Sequence, residues 1–89
     1  MKKAVRLTIF GKVQGVGFRF YTKRKARDLG LCGWVKNMTD GTVYVEAEGE
    51  QQDLATFVDW CHLGPEWSDV RKVQQQEIPL QGFEGFVVR

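Results

Sequence analysis

Hydrophobic residues along this chain switch between strand-like alternation and helix-like spacing, and the order of the switches leaves few folds open. From Ala4 to Phe10 the residues alternate. Val5, Leu7 and Ile9 point one way and Arg6, Thr8 and Phe10 the other, which predicts a half-buried strand. Gly11 to Gly17 carries three glycines in seven residues and reads as a loop. Phe18, Thr22, Ala26 and Leu29 then share one face of a helix, and Gly30 suits the left-handed position that ends it. Trp34 and Val35 mark a second strand over Gly33 to Met38, and Asp40-Gly41 signals a hairpin turn. Thr42 to Glu48 alternates again, with Val43, Val45 and Ala47 opposite Tyr44, Glu46 and Glu48. Leu54, Phe57, Val58 and Cys61 have the spacing of a second amphipathic helix, stopped by Gly64-Pro65. Val70 to Ile78 predicts a fourth strand ended by Pro79, and Phe83 to Val88 a short last one.

The order is therefore β-α-β-β-α-β. Each strand has one polar face, so the expected sheet is antiparallel-rich and open to water on one side. Both helices carry one apolar stripe and cover the other side. This is an α+β chain with the ferredoxin-like sandwich of two interleaved βαβ units, which right-handed crossovers leave as nearly the only solution. The 89 residues suit one domain spanning 1–89, and no linker, low-complexity tract or repeat divides them.

Charge and cysteine usage exclude several function classes. The 13 basic and 11 acidic residues leave a net charge of +2, too little to argue for nucleic acid or a membrane surface. No stretch is long and apolar enough to span a bilayer. Arg6 interrupts the N-terminal apolar run, so no signal peptide is read and a cytoplasmic protein is expected. Cys32 and Cys61 lie far apart with no Cys-x-x-Cys pair, which predicts two free thiols and no metal site. His62, the only histidine, falls near the end of the second helix, where a cation suits the dipole, and receives no chemical role.

Gly15-Val16-Gly17-Phe18-Arg19 joins a strand to a helix. Glycines let successive N–H groups turn inward, and the first N–H groups of a helix have no partner within it. The helix dipole adds partial positive charge, so an anion is favoured there. A cation in the first turn is locally unfavourable in a purely structural helix. Arg19 stands in that turn, with a planar fork suited to phosphate oxygens, which points to an anion-binding loop. It is neither a Walker A loop nor a dinucleotide fingerprint, since the spacings of both are absent.

The run from Gly11 through Gln14-Gly15-Val16-Gly17-Phe18-Arg19 resembles the signature of the acylphosphatase family. Gly30-Leu31, Gly33-Trp34-Val35-Lys36-Asn37 and Asp40-Gly41-Thr42-Val43 are similar to the same family, as are Glu48-Gly49, Phe57 and Gly64-Pro65, with Val70 in register. Glu66-Trp67-Ser68 replaces smaller residues expected after Gly64-Pro65. The resemblance implies the same fold and metal-free hydrolysis of acyl phosphates to carboxylate and phosphate, with no cofactor. It implies that Arg19 binds the phosphoryl group together with the loop of Gly15, Val16, Gly17 and Phe18. It implies that Asn37 holds the attacking water and that Thr42 supports the substrate site beside it. Inorganic phosphate is then both product and inhibitor, and a monomer without nucleic-acid or membrane partners is expected.

Without the resemblance, Asn37 reads first as a turn residue ahead of the hairpin, and the resemblance reverses that order. Two rival functions share the element order. One is an RNA-binding module: Lys23-Arg24-Lys25 and Arg27 are basic, and aromatic residues precede them. Those aromatics open a helix, however, whereas an RNA-recognition sheet needs them on a central strand. The other is a non-catalytic phosphate- or acyl-phosphate-binding domain, against which the short chain and the presence of both Arg19 and Asn37 weigh.

Overall fold

A computed structural model describes the whole chain, Met1–Arg89. Its elements are β1 (Lys2–Lys12), α1 (Phe18–Asp28), β2 (Cys32–Asn37), β3 (Val43–Glu50), α2 (Gln51–Leu63), β4 (Asp69–Ile78) and β5 (Phe86–Val88). The five strands form one sheet in the order β4-β1-β3-β2-β5. β1 exceeds the expected Ala4–Phe10 at both ends because it pairs antiparallel with neighbours on both edges, β3 and β4. The backbone ladders hold the polar ends that hydrophobic alternation does not mark.

The expected antiparallel-rich sheet has one parallel member, its last strand. β5 runs parallel to β2, with Gly33, Trp34 and Val35 opposite Phe86, Val87 and Val88. After β4 at one edge the chain crosses to the other edge before it pairs. The Glu48 carboxylate guides that crossing by accepting the backbone N–H of Gln81 at 2.6 Å and of Gly82 at 3.1 Å. Phe86 then buries its ring against Phe57, with centroids 6.1 Å apart, and fixes β5 to the core.

One sheet face is covered by the helices. Val5, Leu7, Ile9, Val35, Val43, Val45 and Ala47 meet Phe18 and Ala26 of α1 and Leu54, Phe57, Val58 and Cys61 of α2. These are the residues that alternation and helical spacing select. The opposite face carries Arg6, Thr8, Phe10, Trp34 and Tyr44, and stays open to water, as single-faced sheets do. There Tyr44 donates to Glu46 at 2.7 Å; partial burial and that carboxylate push its phenol up to about 12. Both cysteines are free thiols, Cys61 buried in the core and Cys32 half-buried. No helix is long and apolar enough to cross a membrane.

Candidate active site

The site forms where the end of β1, the start of α1 and the end of β2 converge. β1 and β2 flank β3, so the loop after β1 and the last residue of β2 lie at the same end of the sheet. Phe18 sets the start of α1. Its ring is buried in the core and tilts against Trp60, with centroids 5.9 Å apart. The helix therefore begins at a fixed point, and the residues just before it face solvent.

Gly17 is the N-cap of α1, with φ 78° and ψ 14°. A non-glycine residue pays a steric cost in that left-handed region. No side chain caps the helix, and its first turn holds no acidic residue. Its leading N–H groups are thus left to an outside acceptor. Together with Arg19 they make an uncompensated positive end.

A cavity of about 370 Å³ opens at this point, lined by Val13, Gly15, Gly17, Phe18, Arg19, Phe20, Lys23, Asn37 and Val88. No carboxylate lines it, and two cations do, Arg19 and Lys23. They stand one helical turn apart, where like charges repel each other by some tenths of a kcal/mol unless an anion lies between or beside them. Arg19 is half-buried, and its Nη1 donates to the main-chain oxygen of Arg89 at 3.2 Å. That single bond leaves most of the guanidinium fork for a ligand.

Asn37 closes the other side. It is the last residue of β2, and its Oδ1 is buried with no hydrogen-bond partner. An orphaned buried amide oxygen costs free energy on the order of 1–3 kcal/mol, which a bound donor such as water recovers. Asn37 thus lies at the strand end as a cavity wall, although an asparagine before a hairpin also reads as a turn residue.

Two other expected residues occupy different places. Thr42 is buried but does not line the cavity. Its hydroxyl donates to Asp40 Oδ1 at 2.7 Å and its N–H to the same oxygen at 3.0 Å. Those bonds hold the Asp40 carboxyl below the usual carboxylate range and shape the hairpin. Thr42 therefore supports the strand end that bears Asn37 and is not placed to touch a ligand. Val16 turns its side chain towards the core, so only its backbone belongs to the loop surface.

Sequence reasoning missed Lys23, Phe20, Val13 and Val88 as lining residues. The i, i+4 spacing of Arg19 and Lys23 was the available signal. It also missed Gln14, whose side chain donates to the main-chain oxygens of Met38 and Thr42 at 2.7 and 2.9 Å. No three His, Cys, Asp or Glu side chains are grouped as a metal ion would require.

The family model described as acylphosphatase matches residues 5–88. The chain belongs to the acylphosphatase family. It is 47% identical over 89 residues to an acylphosphatase of a Synechococcus species, covering all of this chain and 99% of that one. The acylphosphatase structure from Coxiella burnetii superposes with a TM-score of 0.96 at 38% identity, over 99% of this chain and 93% of that one. The Bacillus subtilis acylphosphatase superposes with a TM-score of 0.95 at 37% identity, over 100% and 99% of the two chains. The acylphosphatase fold in this chain thus brings Gly15, Gly17, Phe18, Arg19 and Asn37 to one cavity.

Proposed function

We propose that this acylphosphatase hydrolyses the carboxyl–phosphate bond of small acyl phosphates through the cavity between Arg19 and Asn37. The observation that carries this reading is the pairing of opposite capacities in one space. One wall holds two cations and an uncapped helix start, and the other a buried amide oxygen lacking a donor.

Arg19 and the N–H groups of Gly15 to Phe18 hold the phosphoryl oxygens. The transition state of phosphoryl transfer is loose, with charge spread over three equatorial oxygens, so fixed donors around that group lower the barrier. Asn37 Oδ1 accepts a hydrogen bond from the attacking water. An amide cannot take the proton at neutral pH, so its role is orientation. The water oxygen bonds to phosphorus as the bond to the acyl oxygen breaks. The electron pair leaves with the carboxylate, and a phosphoryl oxygen accepts the water proton. A carboxylate departs without protonation, so positioning and charge stabilisation suffice and neither a metal nor a cofactor is required.

The partner is then a small acyl phosphate, with phosphate as product and inhibitor. We place the protein in the cytoplasm as a monomer that binds neither nucleic acid nor membrane. Supporting that choice, Arg27 of the basic run spends its guanidinium on the Phe86 carbonyl, and Lys23 of the same run turns to the cavity. The aromatics Phe18, Phe20 and Tyr21 lie on the helix and not on a central strand.

The test is release of benzoate from benzoyl phosphate with a chelator present, and its inhibition by inorganic phosphate. Turnover that survives the chelator and is competed by phosphate is expected. Absence of turnover, or turnover that phosphate does not touch, would remove this reading.

A further inference from the structure

The anion-binding loop and the strand end bearing Asn37 are far apart in sequence, yet in-line attack requires them in fixed relation. Misplacing a reacting group by about 1 Å can cost a hundredfold in rate. The sheet fixes the strand ends, since Ile9 and Asn37 both pair with Val43 of β3, but the loop itself lies beyond that ladder. Residues 13–17 share no backbone hydrogen bond with residues 37–42. The side-chain hydrogen bonds between the two segments all come from Gln14.

We propose that Gln14 is a positioning residue that locks the phosphate loop to the Asn37 strand end. The proposal rests on the reading of the site given above. Gln14 is half-buried, directly before Gly15 of the loop. Its Nε2 donates to the Met38 oxygen at 2.7 Å and to the Thr42 oxygen at 2.9 Å. These two carbonyls belong to the neck of the hairpin: Met38 N–H donates to the Thr42 oxygen at 2.8 Å, and Gly41 N–H to the Met38 oxygen at 3.2 Å. Met38 is the neighbour of Asn37. The clamp thus runs from the residue before the cradle to the residue after the water-holding asparagine.

The chemistry of the clamp demands a primary amide. Two carbonyl oxygens need two N–H donors from one atom, and the NH₂ of glutamine supplies both without charge. A leucine of similar size supplies none. A glutamate turns lone pairs towards lone pairs when ionised, and supplies one O–H donor when protonated. The two carbonyls and partial burial disfavour the ionised form and so favour uptake of a proton.

The experiment compares Gln14→Glu and Gln14→Leu with the natural protein in steady-state hydrolysis of benzoyl phosphate across pH. Inhibition by inorganic phosphate and amide exchange at Met38 and Gly41 are measured alongside. At neutral pH both variants lose kcat by at least about tenfold, while the inhibition constant of phosphate moves by no more than about threefold, because Arg19 and the loop amides remain. Relative to the natural protein, Gln14→Glu recovers part of its kcat towards about pH 5 as its carboxyl takes up a proton and restores one of the two donors, and Gln14→Leu does not. Amide exchange at Met38 and Gly41 quickens in both variants at neutral pH.

Retention of the natural kcat by both variants overturns the proposal. So does a loss in Gln14→Glu that acid leaves unrelieved, since that marks a structural role only. Amide exchange reports the clamp without activity. If the natural protein fails to turn over benzoyl phosphate while exchange quickens as described, the reading of the reaction falls and the clamp stands.

Discussion

The guanidinium of Arg19, in the first turn of α1, donates to the main-chain oxygen of Arg89, just beyond β5, at 3.2 Å. Arg89 is itself held twice. Its N–H donates to the Val35 oxygen at 2.8 Å, and its guanidinium lies 4.5 Å from the centroid of the Trp34 ring. The parallel strand that completes the sheet thus delivers a fixed main-chain oxygen to Arg19, the residue proposed to bind the phosphoryl group.

This contact uses a main-chain atom, so the identity of residue 89 matters little to it. Arg89→Ala removes only the cation–π contact, on the order of 0.5–1 kcal/mol at an exposed site. We expect kcat/KM for benzoyl phosphate to fall by less than about threefold and thermal unfolding to shift slightly. A hundredfold loss would mean that the Arg89 side chain itself serves the site.

In the proposed site, Asn37 serves turnover and not phosphate binding. Asn37→Ala removes the oxygen proposed to orient water and leaves Arg19 and the loop in place. Turnover is expected to fall by about a hundredfold, the scale of loss for a misplaced reactant. The phosphate inhibition constant should stay nearly constant. If the inhibition constant rises in step with the loss of turnover, Asn37 is a phosphate ligand and not a water holder.

Thr22 lies fully buried on the core face of α1, and its Oγ1 has no hydrogen-bond partner. Thr22→Val keeps the shape and removes a desolvated hydroxyl. We expect a gain of about 1 kcal/mol in denaturant unfolding, since an unsatisfied buried polar group carries a cost of that order. A destabilised variant would reveal a partner for that hydroxyl.

The two thiols should differ in reactivity. Burial pushes the Cys61 thiol well above its ordinary value, and the thiolate is the reactive form. In the folded protein at neutral pH, a thiol reagent followed by mass spectrometry should modify the half-buried Cys32 and spare Cys61 until denaturant is added. Rapid modification of Cys61 under native conditions would show that the core around Phe57 opens readily.

Much of this architecture is legible because burial on one side of each element writes itself into the chain as a period. Val5, Leu7 and Ile9 on β1, and Leu54, Phe57, Val58 and Cys61 on α2, are examples. The direction of β5 is not legible in that way, because it depends on the crossing that Glu48 anchors and not on any local pattern. The cradle is legible for a different reason. Glycines and a cation in a first turn that holds no acidic residue favour a bound anion over a bare turn. Asn37 is ambiguous locally, since its turn and catalytic readings need the same residue type. Gln14 and the Arg89 oxygen are invisible to pattern reading, because both contacts are made to main-chain oxygens, which every residue carries.

The central claim is that Arg19, the loop amides and Asn37 form a site for acyl phosphate hydrolysis. Its most direct test is the rate of benzoyl phosphate hydrolysis by Arg19→Gln beside the natural protein, with a chelator in both reactions. The variant should lose about 3–4 kcal/mol of transition-state stabilisation, as when a strong oxyanion donor is removed, together with its inhibition by phosphate. Full activity in Arg19→Gln would contradict the account.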